Sequence, residues 1–355
     1  MKELGDLDWE SITDYIESGQ AALLIGPELP RIKDLPMDQG WRNGIWEKFN
    51  SKIAYNYERE GLFLFSSKIA KNDAARFVRK FAGEQEPDEA VFKKIAQIKF
   101  PFVVSTSPDT CLSDIAYKYG IRHRFSYFKN RSKSVEDVEE PQADLPLFYN
   151  LCGTVNDDES LILDYEDLFQ LISSSLGTPG LPPKLQAALD RVRIFFFIGF
   201  QFEKWYTQLL LRLLCGHEES EKYAANSQHV DEQVSAFLLN QFQIEFLDTG
   251  QSFLDILYEK CAARNLLRPL ADPASPDDIA IIRLIQTGKD LLAPLERLRQ
   301  RAEQTGQAHE VTMLLARHNN LQEEKKKGTI DSRDYFVEYN RVIDNMLNLL
   351  AQPVV

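Results

Sequence analysis

The stretch IFFFIGFQFEKWY, residues 194–206, decides the fold. Five consecutive apolar residues end at Gly199, and a helical spacing of apolar residues begins at Trp205. A short apolar run that ends at a turn residue is typical of a strand buried on both faces. Similar runs occur at Ala21 to Ile25 (AALLI), Phe102 to Thr106 (FVVST), Leu147 to Leu151 (LFYNL) and Ile244 to Leu247 (IEFL). The sequence therefore predicts an α/β fold, a parallel sheet with helices on both faces.

A proline-rich stretch, Arg268 to Asp277 (RPLADPASPD), separates two parts of different character. Residues 1–267 hold all the predicted strands, with a helical insertion at about 40–99. Residues 278–355 show only helical patterns, and the clearest is Ser332 to Leu350, whose apolar residues recur at intervals of three and four. We expect an α/β domain, a linker over residues 268–277 and a small all-helical domain.

The composition excludes several kinds of partner. Among the 355 residues, 54 acidic and 41 basic side chains give a net charge of −13. Residues 277–355 carry 12 acidic and 11 basic side chains, so the α/β part holds −12 of this charge. An acidic surface repels nucleic acid and anionic membranes. We therefore expect no direct nucleic-acid or membrane partner.

The four cysteines, Cys111, Cys152, Cys215 and Cys261, show no CxxC spacing. This pattern predicts neither a zinc cluster nor a disulfide framework, so no metal is expected. The N-terminal residues lack the apolar segment of a secretion signal, and no apolar run reaches the roughly 20 residues of a membrane helix. A reduced, cytoplasmic location is the prediction.

Ligands of such sheets bind beyond the carboxyl ends of the strands, so the loops after the apolar runs are the candidate site. The first loop is GPELP, residues 26–30. Its glycine suits a phosphate-binding turn, but two prolines lack the N–H that a phosphate needs, and Glu28 adds a carboxylate. Both a nucleotide-binding loop and a rigid strand-to-helix turn remain open.

The next two loops are also ambiguous. In STSPDT, residues 105–110, Asp109 or Thr110 can cap the following helix, whereas Thr106 or Ser107 can contact a ligand. In the third loop, Cys152 is either a nucleophile or an inert buried cysteine, and the second interpretation is favoured because no histidine lies beside it in the sequence.

The fourth loop follows Gly199 and is unusually aromatic. Gln201 is its candidate polar contact. The apolar density around Trp205 and Tyr206 favours core packing over a platform for stacking bases.

In order and spacing, these four loops resemble the SIR2 (sirtuin-type) NAD-binding fold in the form found in bacterial defence proteins. The family's GAGxS, TxNxD, HG and GxS-type motifs correspond here to LLIGPELP, VVSTSPDT, FYNLCGTV and FFIGFQFEKWY. The resemblance covers about Asp8 to Cys261 and implies a Rossmann-like sheet with a pocket for NAD or an ADP-ribose-like nucleotide. The candidate pocket residues are Gly26, Glu28, Thr106, Ser107, Asp109, Gly153, Gly199 and Gln201.

The same resemblance implies that the chemistry is lost. In active members a second glycine admits the pyrophosphate, an asparagine positions the ribose and a histidine is the general base. The corresponding residues here are Glu28, Ser107 and Cys152. Serine lacks the paired donor and acceptor of an amide, and a cysteine does not replace an imidazole as a base near neutral pH. No catalytic residue is assigned, and the missing CxxC zinc module argues against protein deacetylation.

The C-terminal part, Leu321 to Leu350, resembles the effector-associated domains of bacterial conflict systems, which pair with a like domain on another protein. The alternative is that residues 278–355 simply pack on the α/β domain. Together the two resemblances predict a catalytically degenerate scaffold, adaptor or nucleotide sensor in an antiviral or programmed-death defence system. Such a protein is expected to form oligomers and to dock through residues 278–355. The alternatives are a NAD-hydrolysing effector that uses Glu28, Asp109 or Cys152, and a purely structural subunit.

Overall fold

In a computed structural model, the described residues are 2–86, 88–130, 135–216, 219–225, 230–248, 250–286 and 291–350. They divide into two compact units. The front domain comprises Met1–Ala116 and Ile121–Leu270, and the tail comprises Tyr117–Gly120 and Ala271–Val355. No helix among the described residues is long and apolar enough to cross a membrane.

The strands all belong to the front domain. In chain order they are β1 (Ala21–Ile25), β2 (Arg31–Ile32), β3 (Leu35–Pro36), β4 (Ile53–Tyr57), β5 (Leu62–Phe65), β6 (Phe102–Ser105), β7 (Arg124–Tyr127), β8 (Leu147–Asn150), β9 (Ile194–Ile198), β10 (Glu221–Ala225) and β11 (Ile244–Phe246).

Helices flank the sheet, and they are the regular secondary structure in the part of the tail that the structure describes. In the front domain they are α1 (Trp9–Glu17), α2 (Met37–Phe49), α3 (Lys68–Gly83), α4 (Glu89–Gln97), α5 (Cys111–Lys118), α6 (Tyr165–Leu176), α7 (Pro183–Leu189), α8 (Trp205–Cys215), α9 (Glu232–Phe242) and α10 (Gly250–Ala263). In the tail they are α11 (Pro276–Gln286), α12 (Leu292–Thr305), α13 (Ala308–Lys327) and α14 (Ser332–Leu350).

Seven strands of the described chain form one sheet in the order β11-β10-β9-β1-β6-β8-β7, and every pairing in it is parallel. The central strand β1 pairs with β6 on one side and with β9 on the other. All five residues of β1 and of β9 are buried. After β1 the chain first builds the sheet on the side of β6 and later on the opposite side, beginning with β9. The carboxyl end of β1 is therefore the switch point in strand order, where ligands of such folds bind.

The predicted α/β fold is confirmed. The strands predicted at 21–25 and 194–198 have the bounds of β1 and β9, and β6, β8 and β11 each end one residue before the predicted end. The sequence patterns missed β7 and β10. Strand β7 (RFSY) is a half-buried edge strand, and β10 (EKYAA) begins with two charged residues, so neither shows a continuous apolar run.

The insertion at 40–99 contains most of α2 together with α3 and α4, as its helical spacing indicated. It also contains an antiparallel hairpin, β4 with β5, which the helical pattern did not suggest. In the hairpin Tyr55 lies opposite Leu64, and both side chains are exposed. The hairpin therefore presents apolar side chains to solvent.

The tail has a hydrophobic core of its own. Leu291, Leu295, Val311, Val342 and Met346 are all fully buried there. The last helix has the predicted bounds, 332–350. The first tail helix, α11, ends at Gln286, and residues 287–290 lie outside the described part.

Arg268, the first residue of the predicted linker, is held in the front domain by hydrogen bonds. The Arg268 side chain donates hydrogen bonds to the carbonyl oxygens of Ala96, Ile98, Phe100 and Ala143 at 2.6–2.8 Å. Arg268 is only 5% exposed, and burial lowers its pKa to about 10. The first residue of the predicted linker is therefore part of the front-domain core, where it satisfies the carbonyl groups between α4 and β6.

Candidate functional site

A small cleft lies at the carboxyl ends of β1, β6, β8 and β9, beside the switch point of the sheet. Its free volume is about 60 Å³. The loops contribute Pro27, Thr106, Cys152 and Gln201, the helix α2 contributes Asp38, Trp41 and Arg42, and α8 contributes Tyr206. Two of the predicted pocket residues, Thr106 and Gln201, thus line this cleft, and so does Cys152, which stands at the family's general-base position.

Gly26 and Gly199 lie against each other rather than against a ligand space. A Cβ atom on Gly26 would fall 2.0 Å from the carbonyl oxygen of Gly199. Gly199 has a φ of +69°, which a glycine adopts without strain, and its oxygen accepts a hydrogen bond from the Glu28 N–H at 3.1 Å. These glycines allow two backbone turns to pack closely, so the space that a phosphate would need is filled by protein.

Glu28 is a buried acid at the edge of the cleft. Only 9% of it is exposed, and its Oε2 atom finds no hydrogen-bond partner among the described residues. Burial, and then the nearby Asp38 carboxylate, raise the pKa of Glu28 to about 7, although Lys204 and Arg31 oppose this shift. Near neutral pH, Glu28 is therefore divided between its charged and neutral forms.

Three charged side chains that the sequence patterns did not suggest complete this site. Asp38 and Arg42 come from α2 and form an ion pair at 3.5 Å. Lys204 precedes α8, and burial followed by the Arg42 charge lowers its pKa to about 8. Their signal is weak in the sequence because α2 belongs to the insertion, far from the strand ends in the chain. Asp38 and Arg42 thus line the cleft itself, and Lys204 lies within electrostatic reach of both.

Cys152 stands where the resemblance places a general base. Burial raises the pKa of its thiol to about 12, against the opposing charges of Arg42 and Lys204. The group is consequently a neutral thiol at physiological pH, and it is neither an effective nucleophile nor a proton acceptor there. This environment agrees with the inert cysteine that the sequence favoured.

The remaining predicted residues stabilise the loops. Asp109 Oδ1 accepts from the Cys111 N–H at 2.9 Å and so caps α5, as the helix-cap interpretation proposed. Ser107 is buried, and its N–H donates to the Ser105 hydroxyl. Gly153 has a φ of +81°, and a Cβ atom there would lie 2.1 Å from the Ser160 carbonyl oxygen. None of these three residues lines the cleft.

These features test whether NAD fits the cleft. Sites for ligands of drug size usually enclose about 300–1,000 Å³, and this cleft holds about 60 Å³. The first loop offers no open cradle next to Gly26, and the Glu28 carboxylate would repel a pyrophosphate. The residues present therefore do not fit an anionic dinucleotide in this conformation.

The fourth loop follows its core-packing prediction in part, because Phe200 and Phe202 are 2% and 1% exposed and belong to the front-domain core. Trp205 is 39% exposed, so it is a surface residue rather than part of the core. Tyr206, one residue later, lines the cleft, and its hydroxyl donates to the Glu60 carbonyl oxygen at 3.4 Å. Core packing thus holds for the two phenylalanines of the loop and fails at Trp205, the first residue of α8.

At pH 8, Glu28→Gln is expected to make the front domain more stable to unfolding by about 1–2 kcal/mol. In the folded protein the pKa of Glu28 is about 7, whereas an ordinary glutamate titrates near 4.5. Between these values the folded state holds a proton that the unfolded state has lost, so stability falls as the pH rises through this window. Glutamine does not titrate, and the advantage should therefore grow above about pH 4.5 and level off above about pH 7.

Urea unfolding at a series of pH values, followed by tryptophan fluorescence, measures this difference. Glu203→Gln is the matched control, because Glu203 is exposed and only two residues from Gln201. Parallel stability curves for Glu28→Gln and the unaltered protein from pH 4.5 to pH 8 would contradict the assigned burial of this carboxyl group.

The parallel sheet with its switch-point cleft defines an α/β protein of Rossmann-like architecture. Within that class, residues 101–247 match the family model of the SIR2-like domain, and residues 280–352 match Effector-associated domain 11. Both resemblances and their order along the chain are therefore confirmed. A search of curated proteins found no match.

These two domain types suggest a protein of a defence system, and SIR2-like domains generally bind NAD-related ligands. Among the described residues, no group of three or more histidine, cysteine, aspartate or glutamate side chains is arranged to hold a metal ion.

Proposed function

We propose that this protein is a catalytically degenerate SIR2-like scaffold or adaptor of a bacterial defence system. The observation that carries the proposal is the small volume of the cleft together with the chemistry of its lining. Its volume is about 60 Å³, and a neutral thiol, Cys152, stands at the position of the family's general base. The fold-shaping glycines Gly26 and Gly199 serve backbone packing, which explains why the architecture persists without the chemistry.

A sensor form of this function would use a second, larger space. Beside the cleft lies a groove of about 710 Å³, lined by Glu28, Gln201 and Lys204 on one side and by Asp231 and Phe237 of the α9 region on the other. Its volume is sufficient for a nucleoside-sized ligand. Three carboxylate residues, Glu28, Glu203 and Asp231, and two cations, Arg59 and Lys204, line it. Because acidic groups outnumber basic ones, a ligand with hydrogen-bond donors and little negative charge would suit the groove better than a polyphosphate.

A second candidate function, NAD hydrolysis with a rearranged site, is favoured by one observation. The pKa of Glu28 is about 7, the value that suits a general acid or base at neutral pH. The small cleft and the packed glycine turn oppose this function. Nicotinamide release from NAD by the pure protein separates the two candidates.

The proposed adaptor binds its partner with the tail. The tail buries its own core around Leu295 and Val342, so it does not need the front domain to satisfy its apolar faces. Its described surface is rich in polar residues, with a few exposed apolar side chains such as Met313, which is 61% exposed. An independently folded helical unit with near-neutral charge suits pairing with a like helical domain on another defence protein.

Deletion of the tail is expected to abolish partner binding. A purified effector-associated domain 11 module from another defence protein should capture the full-length chain, but not a chain that ends at Pro276. Leu295→Asp, which places a charge in the tail core, should also abolish capture, with loss of helical circular dichroism as the sign of tail unfolding. Equal recovery of the full-length and shortened chains would end the docking proposal.

A further inference from the structure

Six aromatic rings form a continuous row from the β4–β5 hairpin to the cleft. We call this the aromatic row, and it consists of Tyr55, Tyr57, Tyr165, Phe169, Trp205 and Tyr206. Along the row the ring centroids are 4.7, 4.8, 5.8, 6.3 and 5.9 Å apart. All the separations fall within the range of direct aromatic contact. Residues from a hairpin, α6 and α8, distant in the sequence, thus build one surface.

Much of the aromatic row is open to solvent. Tyr55 is 59% exposed, Phe169 54% and Trp205 39%. Leu64, opposite Tyr55 on the hairpin, is 48% exposed and widens the apolar area. Single exposed apolar residues are ordinary, but a contiguous aromatic group on a soluble domain marks an interaction surface. Tyrosine and tryptophan are also the residues that most often dominate binding energy at protein interfaces.

The edge of the aromatic row is acidic. Glu58 and Glu60 follow Tyr57 in the hairpin turn, and Glu166 follows Tyr165 in α6. Among the described residues, these three carboxylates form no ion pair. Partial burial and then the Glu60 charge raise the pKa of Tyr165, which places that carboxylate near the row. The same turn carries one cation, Arg59.

We propose that the aromatic row is a docking surface for a partner-protein segment that presents arginine or lysine among apolar side chains. Apolar residues of the segment would cover Phe169, Trp205 and Leu64. Its cations would lie over the ring faces and pair with Glu58, Glu60 and Glu166. The net charge of the front part, with 42 acidic and 30 basic side chains in residues 1–276, attracts such a segment and repels an anionic one.

The aromatic row lies on the front domain, so a partner can bind there whether or not the tail has bound its own partner. Because the row ends at Tyr206, which lines the cleft, a bound segment would cover the mouth of the cleft. The adaptor would then join two proteins, one through each unit.

The test uses the full-length protein and a synthetic helical peptide labelled with fluorescein. Leucine and arginine residues recur along this peptide at intervals of three and four. Fluorescence anisotropy should show saturable binding of this peptide. A peptide with glutamate in place of arginine should bind at least about tenfold more weakly, and added salt should weaken the arginine peptide. Phe169→Ala combined with Trp205→Ala should raise the Kd by about tenfold or more.

Leu239→Ala is the matched control, since Leu239 is 50% exposed on α9 and belongs to no ring contact in the row. It should leave the Kd unchanged. Both altered residues of the double variant are exposed, so an unchanged melting temperature is expected and is checked in parallel. Equal affinity of the double variant and the unaltered protein, or equal affinity for the glutamate peptide, would overturn the proposal. A dimer in light scattering that Phe169→Ala dissociates would also overturn it, because the row would then be filled by a second copy.

Discussion

Replacement of Arg268 by methionine is expected to lower the free energy of unfolding of the front domain by about 3 kcal/mol. The guanidinium donates to four backbone carbonyl oxygens, and three of them belong to Ala96 at the end of α4 and to Ile98 and Phe100 between α4 and β6. Methionine fills a similar volume but donates nothing. Each abandoned buried carbonyl costs about 1 kcal/mol or more, and this total is partly offset because a buried cation is also removed.

Tryptophan fluorescence during urea unfolding isolates the effect. All four tryptophans, Trp9, Trp41, Trp46 and Trp205, lie in the front domain, so the signal reports that domain alone. Arg264→Met is the control because it removes another arginine of the same domain. Arg264 pairs with Asp14 and Glu17 on the surface, where solvent screens the charges, and little change is expected. A loss in Arg268→Met no larger than in Arg264→Met would contradict the anchoring role.

Arg268 also shows what sequence patterns miss. Three prolines marked the boundary between the two units, because prolines disfavour a continuous helix. The pattern placed Arg268 in the linker, whereas the hydrogen bonds of its side chain make it part of the front-domain core. No local periodicity reports a cation whose partners lie about 125 to 172 residues away.

Some strands were predictable from the sequence and others were not. Runs such as IFFFI were predictable because strands in the centre of a parallel sheet are apolar on both faces. Strand β10 was missed because it starts with Glu221 and Lys222, and the buried Lys222 donates a hydrogen bond from its Nζ to the Ser220 carbonyl oxygen. Such a local hydrogen bond is not visible in a hydrophobic pattern.

The cleft was only partly predictable. The loops after the strands were located from the sequence, and Thr106, Cys152 and Gln201 do meet there. The residues that set its charge, Asp38, Arg42 and Lys204, depend on the way α2 and α8 pack at the carboxyl ends of the strands, which is a tertiary effect. The packed contact of Gly26 with Gly199 is likewise a property of two distant turns.

Pure full-length protein is expected to release no nicotinamide from NAD above the level of a buffer blank. Cys152 remains a protonated thiol at neutral pH, with a pKa of about 12, so the site lacks the family's general base. The cleft volume of about 60 Å³ and the glycine turn without a phosphate cradle oppose binding of the substrate in a productive position there. For the same reasons, NAD should not raise the melting temperature.

ADP-ribose separates the sensor form from the plain scaffold. A thermal shift with ADP-ribose that Gln201→Ala abolishes would favour a sensor at the groove beside the cleft. An unchanged melting temperature would leave the scaffold.

The most direct measurement of the central claim is nicotinamide release by the unaltered protein, with Glu28→Ala and Asp109→Ala assayed in parallel. We predict that all three proteins match the buffer blank. Robust turnover by the unaltered protein that either substitution abolishes would contradict a degenerate site and assign the protein to the NAD-hydrolysing effectors instead.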